Sequence, residues 1–300
     1  MLIANYVYRT LARGINSSLF MLAACQTPLW LGPAMAADAP AQFAQFAQST
    51  QSTQPAQPVP PVQPILAPTL RAFSTAAATP TDSQPPPPWR AVGLPKGKAP
   101  LTRMDIATLD GERVLRLATD KSYGTLSHAL PNVALSPQAT LRWKWRLEQG
   151  LPGADLRRKE GDDSPLRVCA LFDLPLDNLG LMERTLLRLA RSASGEALPA
   201  ATLCYVWDHH LPSGTLLPNP YTRRVRFMVL NSGDALVGTW VKHERHLAAD
   251  FLRAFKSDLG DPTSPDPARV PPLVAIVLGA DSDNTGGTSL GYVGDVVLSP

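Results

Sequence analysis

The densest polar run in the chain is Asp281-Ser282-Asp283-Asn284-Thr285-Gly286-Gly287, and its spacing points to oxygen chemistry. Asp281, Asp283 and Thr285 stand at positions 1, 3 and 5 of a calcium-loop pattern with Gly286 at position 6, a spacing that can turn oxygens toward a hard cation. Position 12 is Tyr292, where such a loop needs a bidentate glutamate, and the flanks read as strands, so an EF-hand is excluded. The competing reading is an inter-strand turn, in which Asp and Asn side chains bond nearby backbone and the glycines supply positive φ. A second acidic group, Gly161-Asp162-Asp163, enters the run that carries Arg167, and Asp208 closes the run that carries Trp207. Paired carboxylates can act as acid and base on a glycosidic bond when their separation suits it. They can also be turn residues with Arg167 as their charge partner. Asp162, Asp163, Arg167, Trp207, Asp208, Asp281, Asp283 and Asn284 form the candidate ligand-binding set. No cofactor is expected apart from the candidate calcium loop at Asp281, Asp283 and Thr285.

Other motifs narrow the chemistry by failing. In His243-Glu244-Arg245-His246 the histidines are three apart, whereas a zinc protease helix needs them four apart. His209-His210 are adjacent and point to opposite faces of a strand end, with no third ligand indicated. The chain has neither a Gly-rich phosphate loop nor a Gly-x-Ser-x-Gly elbow, so nucleotide-driven chemistry is unsupported. Trp89, Trp143, Trp145, Trp207 and Trp240 are expected to pack in the core, with a sugar-facing ring as the alternative for at least one. Arg184, Arg188 and Arg191 make a cationic helical stripe whose ordinary role is solvation. A net charge of +3 over 300 residues shows no clustered basic excess, which argues against nucleic acid.

The elements that must hold these residues begin after a long leader. Arg9 and Arg13 precede the apolar run Leu19-Phe20-Met21-Leu22-Ala23-Ala24, the polarity of a secretory signal, and the run is too short to span a bilayer. Two cleavage readings compete: release after Ala36, or a lipoprotein signal ending at residue 24 with Cys25 acylated. Either places the rest of the chain in the periplasm or otherwise outside the cytoplasm, with the membrane reached only through a lipid anchor at Cys25. Residues 37–88 hold twelve prolines and no glycine, and glutamine recurs every third residue from Gln42 to Gln57. A disordered tether of polyproline II character is expected there, because the segment lacks the apolar mass to offset ordering.

Residues 89–300 read as one domain. Short β-branched or aromatic runs at 113–119, 125–130, 140–147, 166–172, 201–207, 223–230, 236–242, 273–278 and 292–298 are separated by turn residues. In Leu141-Arg142-Trp143-Lys144-Trp145-Arg146-Leu147 the apolar residues take one face and the cations the other, the pattern of a half-buried strand. Helical periodicity appears over 177–191 and over 244–255, where Leu247, Phe251 and Phe255 form a stripe. The expected architecture is a two-layer antiparallel sandwich, jelly-roll-like, with one or two short peripheral helices. Cys169 and Cys204 each lie in an apolar strand; a disulfide and two separate buried thiols are both open.

Several of these groups together resemble a known bacterial family, the domain-of-unknown-function family 3047. The resemblance is carried by Gly161-Asp162-Asp163 with Leu166-Arg167-Val168, by Tyr205-Val206-Trp207-Asp208, by Ser232-Gly233 ahead of Trp240, by Asp250 and Phe255, and by the 281–287 run with Gly294-Asp295. Ser164-Pro165 and Cys169 depart from the more hydrophobic residues expected there, and the long tether is this chain's own. The family implies no established activity. Three functions stay open: an exported domain binding a glycan or other polar ligand, a polysaccharide hydrolase or lyase using paired carboxylates, and a purely structural envelope protein.

Overall fold

The computed structural model describes residues 69–76, 84–175, 199–259 and 269–300, with helical pieces at 184–185 and 187–188. The expected signal segment, Cys25, the tether up to residue 68 and most of the helix expected over 177–191 lie outside the described residues. Residues 67–300 form one compact unit.

Among the described residues thirteen strands, numbered along the chain, form two sheets. The larger runs in the order β1 (Arg90–Val92), β4 (Tyr123–Val133), β11 (Leu273–Asp281), β6 (Ser164–Phe172), β7 (Ala201–Asp208), β9 (Thr222–Ser232), β8 (Leu216–Asn219). The smaller runs β10 (Val241–His246), β5 (Thr140–Gln149), β12 (Thr288–Val293), β3 (Glu112–Asp120), β2 (Arg103–Leu109), and β13 (Val297–Ser299) pairs β5. Pairing is antiparallel except between β7 and β9. The chain leaves β7, runs out to the sheet edge as β8 and turns back into β9, so β9 returns in the direction of β7.

The burial patterns follow from this layering. On β5, Leu141, Trp143, Trp145 and Leu147 enter the space between the sheets, while Arg142 points away. Every residue of β6 and β7 is buried, because the larger sheet is covered on both faces. Its outer face carries a second apolar cluster that includes Cys169, Cys204, Phe227 and Val277, with Leu94 and Leu217 packed against it. Cys169 and Cys204 are directly opposed on β6 and β7 and form a disulfide there, which closes the question the sequence left open.

Four boundaries differ from the sequence reading. Leu70 and Phe73, expected within the solvated tether, are buried, Phe73 against Trp89 at 5.2 Å between ring centroids. The interior therefore recruits residues 69–76, and Asp295 holds them by accepting from Phe73 N at 2.6 Å and Ser74 N at 3.0 Å. The helix begins at Leu247 rather than at residue 244, and the strand expected over 236–242 lies at 241–246. Its pairing with β5, from Val241↔Trp145 to His246↔Thr140, keeps this stretch extended. Leu247, Phe251 and Phe255 of α1 (Leu247–Phe255) are buried as their spacing implies. The run expected over 292–298 divides at Gly294 into β12 and β13, and β1, β2 and β8 are strands the apolar pattern did not show.

Candidate functional site

Antiparallel pairing of β6 with β11 sets the start of one strand beside the end of the other, with Ser164 opposite Asp281. Asp281 accepts from Ser164 N at 2.8 Å and is ion-paired with Arg167 Nη2 at 2.9 Å. Asp163 accepts four hydrogen bonds: from Asn284 N (3.2 Å) and Nδ2 (3.0 Å) on Oδ1, and from Thr285 N (2.7 Å) and Oγ1 (2.7 Å) on Oδ2. Asn219 Nδ2 donates to both oxygens of Asp162, at 3.0 and 2.8 Å. Six of the eight expected ligand residues, Asp162, Asp163, Arg167, Asp281, Asp283 and Asn284, thus converge on the junction of the 158–164 and 281–287 segments.

Convergence there comes with burial. Asp162, Asp163, Arg167 and Asp281 are each no more than 2% exposed, too little for a ligand to touch them. Gly279 opens the space that Arg167 occupies: a Cβ there would stand 3.0 Å from Arg167 Nε and 2.8 Å from Thr125 Cγ2. Burial pushes the Asp281 carboxyl well above the usual range, Asp163, Asp283 and Asp162 push it the same way, and Arg167 opposes them. Trp207 is a core residue whose Nε1 donates to Gly233 O at 3.0 Å. Asp208, 3% exposed, caps the next turn by accepting from His210 N and Leu211 N. Neither is placed to meet a ligand.

The same geometry revises the candidate metal set. One oxygen each from Asp163, Asp281 and Asp283 lies within 4.8 Å of the others, and the Thr285 hydroxyl donates to Asp163 Oδ2. A hard cation there would have to compete with the donors already bonded to Asp163 and Asp281.

A different surface offers accessible groups. A cleft of about 440 Å³ opens on the outer face of the smaller sheet, with Arg142 and Lys144 from β5, Lys242 and Glu244 from β10, and Arg113 and Asp295 among its lining residues. No sequence motif marked it: Arg142, Lys144, Lys242 and Glu244 are ordinary outward residues of β5 and β10. Beneath it, His243 Nε2 donates to Asn231 Oδ1 at 2.9 Å, and Trp145 Nε1 donates to the same oxygen at 2.8 Å. Burial, with Arg245 adding to it, pushes the His243 imidazole down to about 4. The fold thus favours neutral His243: its contribution is complete above the ordinary histidine value of about 6.5 and is lost as pH falls toward 4. Half-burial discounts the shift to about 1–3 kcal/mol. Melting curves from pH 7.5 to 4 are therefore expected to fall more steeply for the native chain than for His243→Phe, and equal slopes would refute the assignment.

Two sheets closing on one apolar interior define the described part of this chain as a β-sandwich. The chain belongs to the family described as protein of unknown function DUF3047, whose model matches residues 87–297. No curated protein matches the chain. Among solved structures it is similar to TmCBM61 in complex with β-1,4-galactotriose, at 10% identity and a TM-score of 0.29, covering 77% of this chain and 99% of that one. It is also similar to the cleaved adhesin domain of Lys-gingipain from Porphyromonas gingivalis, at 10% identity and a TM-score of 0.32, covering 77% and 97%. A third similar structure comes from a study of carbohydrate-binding modules of the β-sandwich superfamily, at 14% identity and a TM-score of 0.29, covering 70% and 54%.

Proposed function

We propose that this chain is a non-catalytic exported domain that binds a glycan in the cleft on the outer face of the smaller sheet. The observation that carries the reading is the contrast between two sites. The carboxylate junction is sealed and internally bonded, whereas the cleft brings polar side chains from several strands to one solvent-reachable surface. A glycan presents hydroxyls that need such donors and acceptors, and ligand sites are concave with a few convergent polar groups. Hydrolysis or elimination by paired carboxylates is disfavoured, because the acidic pairs that meet are buried away from any substrate. Export, to the periplasm or with a lipid anchor at Cys25, agrees with the disulfide, a bond that persists in oxidising compartments.

Calorimetric titration of the full-length chain against a panel of neutral and acidic oligosaccharides tests the reading. At least one is expected to bind with a Kd of about 10 μM to 1 mM, or roughly −7 to −4 kcal/mol. Arg142→Ser with Glu244→Ala is expected to weaken it at least tenfold without changing Tm. Absence of binding across the panel, or binding indifferent to that double substitution, would overturn the proposal. No cofactor is part of this reading, and the acidic junction acts as a clasp between loops. Millimolar calcium is accordingly expected to move Tm by less than about 1 °C, since only a ligand of the native state raises it. A saturable rise of several degrees would return the junction to a cation.

A further inference from the structure

We infer that the glycan this cleft selects is anionic, a saccharide carrying uronate carboxylates. The inference rests on the cleft being the ligand site. Lys144 is ion-paired with Glu112, and its ammonium also sits 4.8 Å over the Trp240 ring. Asp295 is occupied by the backbone of Phe73 and Ser74 and by the Ser74 hydroxyl. Among the described residues Arg113, Arg142, Lys242 and Glu244 make no ion pair, and the donors to Asp295 are neutral, so three unpaired cations face the carboxylates of Glu244 and Asp295, an excess of one positive charge.

Strand register sharpens the imbalance. Lys242 lies directly opposite Lys144 on β10 and β5, and like charges at opposed positions are destabilising. Arg142 lies opposite Glu244 without forming an ion pair with it, and its one side-chain hydrogen bond among the described residues is a long 3.5 Å approach to Ser299 Oγ. Arg113 Nε is buried and makes no hydrogen bond. The Arg142 guanidinium, an exposed fork with uncommitted N–H donors, matches carboxylate geometry, in which two parallel N–H···O bonds add direction to charge, and Arg113, whose Nε is out of a ligand's reach, adds positive charge. His243 adds no charge at neutral pH, because burial holds it neutral. An anionic ring lying over the two strands meets Arg142 and Lys242, and Glu244 is left to accept from a sugar hydroxyl.

The test titrates the full-length chain with oligogalacturonate, with neutral oligogalactose of equal length and with a sulfated oligosaccharide, at low and high salt. Oligogalacturonate is expected to bind at least tenfold more tightly than its neutral counterpart, with the advantage shrinking as salt rises. Arg113→Gln and Arg142→Gln are expected to reduce its binding toward the neutral level. Neutral and uronate chains binding alike would overturn this inference while leaving glycan binding in place. Binding of the sulfated chain alone would also overturn it, by replacing carboxylate with sulfate. If no saccharide bound, the glycan reading itself would fall.

Discussion

Arg167→Leu is expected to destabilise the domain by about 3–5 kcal/mol, the cost of leaving one partner of a buried ion pair unmatched. Arg167 and Asp281 are each 2% exposed at their side chains and 2.9 Å apart, so water cannot replace the lost guanidinium. The neighbouring carboxylates of Asp162, Asp163 and Asp283 make Asp281 worse off without it. Asp281→Asn keeps an acceptor for Ser164 N while removing the charge. The double variant Arg167→Leu/Asp281→Asn is therefore expected to be more stable than the sum of the single effects by about 2 kcal/mol, within the range seen for directly coupled residues. Denaturant unfolding of the four proteins measures this, and additive single effects would show that the pair does not act as a unit.

Removal of the disulfide ranks second. Cys169 and Cys204 are 35 residues apart in sequence, a loop whose closure confers about 3–4 kcal/mol if the unfolded chain is the state constrained. Both sulfurs sit in the apolar cluster on the outer face of the larger sheet, so Cys169→Ala/Cys204→Ala also removes packing. For a domain of this size the loss corresponds to a Tm lower by roughly 6–15 °C. Thermal melts of the oxidised chain, the reduced chain and the double variant decide it. The reduced chain should melt near the double variant, and a reduced chain melting with the oxidised one would deny the bond a stabilising role.

Much of the sandwich was legible where one face of a strand is apolar. The alternation from Leu141 to Leu147 placed Trp143 and Trp145 inward, as found. β10 was expected too early in the chain because two of its inward residues, His243 and Arg245, are polar. His243 is carried by Asn231, and Arg245 donates to Asp250 through Nε (2.8 Å) and Nη2 (2.6 Å), partners that no local pattern announces. β2 escaped although a local signal existed: Asp110 and Gly111, at φ 51° and 78°, make the two-residue hairpin turn joining it to β3. Leu70 and Phe73 were hidden by their proline-rich surroundings, since composition describes a segment and not the two side chains that anchor it.

The acidic residues gave a similarly divided result. Their meeting was readable, because Asp163 and Asp281 lie at strand ends that antiparallel pairing brings together. Their burial was not. It depends on Asn219, 57 residues from Asp162, and on a glycine on β11 that admits Arg167. The cleft was illegible for the opposite reason: it consists of exposed lysines, arginines and a glutamate that look like solubility until the register of β5, β10 and β13 sets them around one hollow.

The decisive measurement is a crystal structure of the chain with its tightest oligosaccharide. Sugar rings are expected in the hollow between Arg142, Lys242 and Glu244, with a ring carboxylate within hydrogen-bond reach of Arg142 or Arg113. Rings seated instead at the Asp283–Asn284 loop, with that hollow filled by solvent alone, would contradict the account.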